Sequence, residues 1–502
     1  MAQLSQQNFR KIVMFICIGV MITGMSTNAA SNTFGKKPTN IVLICTDNQS
    51  PWSLGCYGNK EILTPNIDRL AQEGMLFKHS YSSNPVCSPA RATLLTGLIP
   101  SQHGVHNYLI PSQKEHGVPD YLTKGIEIGP DAYNTIEEFQ SLPEILSESG
   151  YVCGLSGKWH LGDNLNPHEG FSYWVTSPGG HTTTYYNADV IENGQIRTEP
   201  MYLTDFWTDR GIRFIEQNKD QPFFLLLTYN GPYGLHGFLD TPAKNRHGQY
   251  YETQQMNSFP REETHPWLVT NRESVNNIAA MRRYAAEVSG VDDGVGRIMD
   301  ALKRLKLDEN TLIIYTSDQG LCGGHHGMWG MADHSRPLHT YDETIHTPMI
   351  WRHPNVIPEG KRQELMVSNY DVLPTILNYL GLENKVIPGN PKLPGRDYSA
   401  VLQGQQIKWE NIVYYEFDNT RMIRTSDWKY TERFPQGACI DELYDLKNDP
   451  SEKKNIVNVE EHSEIKNHLQ KKLHAFFDEY ANPKYDLWKN GRSKSGTLIF
   501  KK

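Results

Sequence analysis

Continuous apolar, β-rich runs constrain this chain more than any other feature. Residues 39–46 (TNIVLICT), 222–229 (PFFLLLTY) and 311–316 (TLIIYT) carry little polar alternation. Such runs suit strands covered on both faces, as in a parallel sheet. Shorter strands are expected at 151–156 and 348–351. Helix-patterned segments fall between them. Residues 64–74 open on Thr-Pro and close on Gly, 141–150 follow the same logic, and 371–380 are helical. A long helical stretch covers 273–307, with a break expected near Gly290 to Gly296. Strands alternating with helices predict an α/β fold with a mostly parallel central sheet flanked by helices.

The texture changes after about residue 403. Residues 412–417, 422–424 and 429–433 read as antiparallel strands. A long helix over 461–480 carries Leu469, Leu473, Phe476 and Phe477 on one side. The expected division is therefore a larger α/β domain over 31–405 and a smaller C-terminal α+β subdomain over 406–502.

At the N-terminus, Arg10-Lys11 precede the apolar run from Ile12 to Met25, and small residues follow through Ala29-Ala30. That order predicts a signal peptide over 1–30 and a periplasmic or secreted enzyme, free of the membrane once the signal is cleaved. Formal charge is −8, from 49 basic and 57 acidic side chains. The leader holds Arg10 and Lys11 and no acid, so the remainder is near −10 (47 − 57). An acidic chain has no global attraction for nucleic acid, and no nucleic-acid partner is expected. The seven cysteines are scattered without a Cys-x-x-Cys pair, so they form no zinc framework.

Two aspartates stand at strand ends: Asp47 after 39–46 and Asp318 after 311–316. Ligands of α/β sheets gather at the carboxyl ends of strands, and two carboxylates delivered there suit a hard cation. A third element is Cys87-Ser88-Pro89-Ala90-Arg91, leading to Gly97. Pro89 fits the first helical position, Ser88 the N-cap and Gly97 the closing residue. Cys87 would then lie at a helix N-terminus, which favours anions. Arg91 in the first turn opposes that dipole, and a bound anion is one reason to keep it there. In Gly157-Lys158-Trp159-His160-Leu161-Gly162, an extended backbone would aim Lys158 and His160 at one spot.

The run from Cys87 to Arg91 resembles the Cys-x-Pro-x-Arg signature of the type I sulfatases of the alkaline phosphatase superfamily. The segment from Gly157 to Gly162 resembles that family's Gly-Lys-Trp-His-Leu-Gly element. Glu442 to Leu446, before Asn448-Asp449-Pro450, resembles its C-terminal subdomain. The resemblance implies that a formylglycine-generating or sulfatase-maturing enzyme oxidises Cys87 to formylglycine. The hydrated aldehyde would then attack sulfur beside a bound calcium ion. It implies Asp47, Asn48, the modified Cys87, Asp318 and Gln319 as metal ligands. Asn48 stands where many sulfatases carry a second Asp, and Gln319 where Asn or His commonly follows. Both offer an amide oxygen without charge, which calcium accepts more readily than magnesium does. The resemblance also implies that Arg91 and Lys158 stabilise sulfate charge, His160 acts as base, and His236 protonates the leaving oxygen. The family's lysine after Gly-x-Trp-Gly is missing, since Met328-Trp329-Gly330-Met331 follows instead. Arg336 and His339, with His325 and His326, are candidates to bind sulfate in its place.

Export would bring the enzyme to sulfated polysaccharides. His181, Tyr185 and Tyr186, with Arg246, His247, Arg261 and Trp267, are candidates for a sugar subsite. A sulfated carbohydrate therefore ranks above a small aryl sulfate as the expected substrate. Two alternatives stand beside this reading: a phosphoester or phosphonate hydrolase of the same superfamily, and a non-catalytic glycan-binding relative.

Overall fold

The computed structural model describes residues 38–110, 128, 132–180, 184–235, 245–387, 389–435, 439–495 and 498–499. Chain order gives strands β1 (Asn40–Asp47), β2 (Met75–Tyr81), β3 (Val152–Gly157), β4 (Phe171–Thr176), β5 (Ala188–Glu192) and β6 (Gln195–Glu199). They are followed by β7 (Phe223–Pro232), β8 (Thr311–Ser317), β9 (Cys322–Gly323), β10 (Trp329–Gly330), β11 (Met349–Arg352) and β12 (Lys361–Ser368). Ten of these form one sheet in the order β12-β2-β11-β8-β1-β7-β3-β4-β5-β6, while β9 and β10 pair separately.

The centre is parallel: β1 lies between β7 and β8, and β3 continues beyond β7. β11 runs antiparallel between β2 and β8, and β4-β5-β6 form an antiparallel edge. The strand expected at 348–351 thus exists, but against the parallel grain. β1 and β7 are buried along their whole lengths, which is why both read as unbroken apolar runs.

Alternate residues of the central strands feed two cores. Val42, Ile44, Leu225, Leu227 and Ile313 face one side. There they meet α4 (Leu203–Gln217) and α5 (Ile278–Arg304). Ile41, Leu43, Phe224, Leu226 and Ile314 face the other. That side is covered by α2 (Cys87–Thr96), α3 (Leu142–Glu148) and α6 (Val372–Leu380). α1 (Pro65–Gln72) packs on α5.

The break expected near Gly290 to Gly296 does not occur; α5 is one helix of 27 residues. Its glycines serve close packing instead. A Cβ at Gly294 would lie 2.4 Å from the Tyr229 hydroxyl, and one at Gly290 would lie 2.6 Å from the Tyr202 hydroxyl. The side chain of Asn277 caps the helix by accepting from the N–H groups of Ala279 and Ala280.

The C-terminal sheet is β13 (Ile412–Phe417), β14 (Thr420–Thr425), β15 (Trp428–Arg433) and β16 (Glu442–Asp445), antiparallel throughout. The long helix α7 (Ser463–Tyr480) lays Leu469, Leu473, Phe476 and Phe477 on Ile423, Tyr430 and Leu443. Buried ion pairs fasten this sheet to the rest. Arg424 and Lys429 meet Asp342 at 2.8 and 2.6 Å, and Glu416 Oε2 accepts from the Ser101 N–H at 2.7 Å. No described helix is long and apolar enough to cross a membrane.

Candidate active site

Four adjacent parallel strands, β8, β1, β7 and β3, end at one edge of the sheet. Asp47 is the last residue of β1, Asp318 follows β8, Lys158 follows β3, and Tyr233 follows β7. Cys87 opens α2 beneath them. The strand-end expectation for Asp47 and Asp318 thus holds in three dimensions: oxygen or sulfur atoms of Asp47, Cys87 and Asp318 lie within 4.8 Å of one another.

α2 begins two residues earlier than its capping pattern predicts. Val86 is the N-cap, Cys87 is the first helical residue, and Ser88 and Pro89 lie inside the first turn. Asn84 takes over the local satisfaction, accepting from the Val86 N–H at 3.0 Å. Ser88 Oγ is free for another partner and accepts from the Leu109 N–H at 3.0 Å. Gly97 closes the helix at φ 70°, as expected. Because Cys87 is itself helical, Arg91, four residues on, shares its helix face.

Asp47 is the hub. Lys158 Nζ lies 2.5 Å from its Oδ2, Gln319 Nε2 donates to its Oδ1 at 2.9 Å, and Cys87 Sγ is 3.6 Å from Oδ1. Arg91 grips Asp318 Oδ2 through Nε at 2.9 Å and a second guanidinium nitrogen at 2.8 Å. Its other terminal nitrogen donates to Lys158 O at 2.8 Å. Two buried carboxylates therefore face two buried cations. Burial, then the neighbouring Asp47 charge, pushes the Asp318 carboxyl up to about 6. The same two causes push the Cys87 thiol up to about 12. An unmodified Cys87 is thus a neutral thiol, a poor nucleophile. For Lys158, burial opposes the charge, but Asp47 and Cys87 outweigh it and hold the ammonium above its usual range.

Lys158 reaches the site by a glycine-dependent turn. Gly157 has φ 119°, and a Cβ there would lie 1.8 Å from Thr228 O. Lys158 N–H donates to that carbonyl at 2.9 Å, and Thr228 Oγ1 donates back to Lys158 O at 2.7 Å. The extended geometry expected for Lys158 to His160 is not kept. β3 ends at Gly157 and His160 is left-handed at φ 63°. His160 Nε2 sits 3.0 Å from Leu109 O, and Leu109 in turn binds Ser88 beside Cys87. His160 is therefore connected to the start of α2 by a different route from the shared strand face.

Asn48 and Gln319 join the cluster as expected: Gln319 Nε2 lies 2.6 Å from Asn48 Oδ1 and 3.4 Å from Cys87 Sγ. Gln319 Oε1 is buried without a hydrogen-bond partner. Rotating this amide would turn that orphaned oxygen toward Asp47 and Asn48, which converts the set into an all-oxygen cradle. The donors therefore fit a hard divalent cation.

The candidates for sulfate contact separate from this cluster. His326 stacks on Tyr341 at 3.7 Å and meets Glu343 at 3.0 Å. His339 packs on the same ring, and burial holds it well below its usual range. Arg336 is exposed and donates to Asp333 O and Ser335 O at 2.8 and 2.6 Å. His181 and His236 lie outside the described residues. Met331, where the missing lysine was sought, is buried with Sδ 3.4 Å from Gln319 Nε2. Tyr233 also joins the site, with its ring centroid 5.8 Å from Lys158 Nζ. Its only sequence signal was its place after an apolar strand.

Known proteins bear on this arrangement. Residues 39–382 match the family described as sulfatase, and residues 327–479 match the region described as N-sulphoglucosamine sulphohydrolase, C-terminal. The N-acetylglucosamine-6-O-sulfatase of Bacteroides thetaiotaomicron is 26% identical, covering 93% of this chain and 89% of that protein. The N-acetylgalactosamine-6-sulfatase of Canis lupus familiaris is 29% identical, covering 78% and 71%. A protein solved in complex with its substrate D-glucosamine-2-N,6-O-disulfate superposes with a TM-score of 0.66 at 25% identity, covering 88% of this chain and 98% of the other. The chain belongs to the sulfatase family: it is a type I sulfatase of the alkaline phosphatase superfamily, a sulfuric ester hydrolase.

Proposed function

We propose that this enzyme releases sulfate from a sulfated carbohydrate, with a 6-sulfated N-acetylhexosamine as the first substrate to test. The observation that carries the chemistry is the Asp47–Cys87–Asp318 cluster flanked by Arg91 and Lys158. The sulfated amino sugars named for its relatives support the substrate class.

In this reading Asp47, Asn48, Asp318 and Gln319 hold calcium, and a maturing enzyme converts Cys87 to formylglycine. Calcium would draw charge from the sulfate oxygens, and of the two hydroxyls of the hydrated aldehyde one would supply the nucleophile while the other, on losing its proton, would let the carbonyl reform and sulfate leave. The chain's own residues do the rest. Arg91 is pinned by Asp318 and Lys158 O, so its guanidinium is oriented before substrate arrives. Lys158 brings a second fixed positive charge to the equatorial oxygens. His160 accepts a proton from the hydroxyl at residue 87, and His236 donates one to the leaving sugar oxygen. Residues 1–30 direct export to the periplasm or beyond, where sulfated polysaccharides are met. The working division into 31–405 and 406–502 assigns the chemistry to the first part.

The test is a panel of sulfated oligosaccharides beside an aryl sulfate and a matched phosphate ester. Release from sulfated sugars at the highest kcat/KM is the expected result. Release only from the aryl ester would overturn the carbohydrate reading, and preference for phosphate would overturn the sulfatase assignment. Cys87→Ser is expected to fold and to lose turnover.

A further inference from the structure

Tyr233 is built into the reaction centre, yet the chemistry above gives it no task. Its backbone is left-handed, at φ 40°, where aromatic residues are rarely found. Two contacts hold it there. Its N–H donates to Asp47 O at 3.1 Å, and its carbonyl accepts from Asn48 Nδ2 at 2.8 Å. Both members of the Asp47–Asn48 pair thus grip one residue. Gly234 follows at φ 74°, where a Cβ would lie 2.8 Å from the Tyr284 ring, so the turn is closed from behind as well. Glycine or asparagine would suit position 233 with less strain. Strain of this kind, imposed by several independent contacts, collects where a side chain must be aimed.

The aim is toward the nucleophile. The ring centroid lies 5.8 Å from Lys158 Nζ. Lys158 Nζ is itself bound to Asp47 Oδ2, and Cys87 Sγ lies 3.6 Å from Asp47 Oδ1, so the ring stands beside the reacting groups. The residue keeps partial exposure between buried Pro232 and buried Gly234. Its neighbours leave a specific task open. Arg91 and Lys158 already spend hydrogen bonds on Asp318 and Asp47. A phenol adds an O–H donor without adding another charge to that balance.

We propose that Tyr233 is a substrate-contacting residue whose hydroxyl donates a hydrogen bond to an oxygen of the sulfated ligand lying over Cys87 and Lys158, while its ring walls one side of the sulfate cradle. The inference rests on the sulfatase reading and adds a residue that the family signature does not contain.

Tyr233→Phe removes the donor and keeps ring and backbone. With 6-sulfated N-acetylglucosamine, kcat/KM is expected to fall by about 10- to 100-fold, the range for a hydrogen bond to a charged group, without a shift in melting temperature. Calorimetry supplies a readout independent of turnover. Cys87→Ser/Tyr233→Phe is expected to bind the same sugar more weakly than Cys87→Ser does. Unchanged binding and unchanged kcat/KM would overturn the inference and leave the sulfatase reading intact. So would a loss accompanied by an equal fall in melting temperature, because that marks a structural role. A wild-type enzyme inert toward every sulfate ester overturns both together.

Discussion

Lys158 Nζ lies 2.5 Å from Asp47 Oδ2, and both side chains are sealed from solvent. A buried pair of this kind is strongly destabilised when one member is removed, because the other is left charged and unpaired. Lys158→Ala is therefore expected to cost about 3–5 kcal/mol in chelated protein. Calcium should restore part of that loss, since a cation on Asp47 replaces the missing ammonium. Turnover should fall by about 10²- to 10³-fold even with calcium present. Thermal melts with and without calcium, beside steady-state kinetics, check both parts.

Calcium itself is the second prediction. Chelation is expected to abolish sulfate release, and calcium to restore it. The site offers Asp47 and Asp318 as carboxylates, with neutral amides from Asn48 and Gln319. Adding a charge through Asn48→Asp is expected to tighten calcium on the order of tenfold, since ligand charge tunes affinity. Titration calorimetry after chelation measures this. Equal affinity in wild type and variant would count against Asn48 as a ligand.

The third prediction concerns stability against pH. Glu287 is buried in α5, and burial pushes its carboxyl up to about 8, only partly offset by the hydrogen bond from Tyr202. In the unfolded chain the carboxyl returns to its ordinary value of 4.5. The folded state therefore binds the extra proton between these values. Its contribution to stability is full below about pH 4.5 and is lost as pH rises through about 8. Glu287→Gln should remove this dependence, gaining on wild type by roughly a few kcal/mol across the window. Urea unfolding at several pH values reads the difference. Parallel pH profiles for the two proteins would contradict it.

Much of the scaffold was legible because its central strands are covered on both faces. β1, β7 and β8 carry apolar residues at nearly every position and announce themselves. β12 gave no such signal, because its first half is exposed or half-exposed (Lys361 to Leu365) at the sheet edge. β2 is interrupted by Lys78 and His79. Gly290 and Gly294 read as helix breakers, since a sequence does not reveal that Tyr202 and Tyr229 press against them. At the site, Asp47, Cys87, Arg91, Lys158 and Asp318 were legible from strand ends and motif spacing. Backbone conformation was not: the left-handed turns at His160 and Tyr233 depend on contacts with residues distant in sequence. Tyr233 escaped for that reason.

The central claim is that Cys87 acts only after conversion to an aldehyde, and the mass of the peptide bearing residue 87 tests it most directly. In active enzyme isolated from its own producer, that peptide is expected to have lost hydrogen sulfide and gained one oxygen, in proportion to the specific activity. Full sulfate-releasing activity in a preparation carrying only the unmodified thiol would contradict the account.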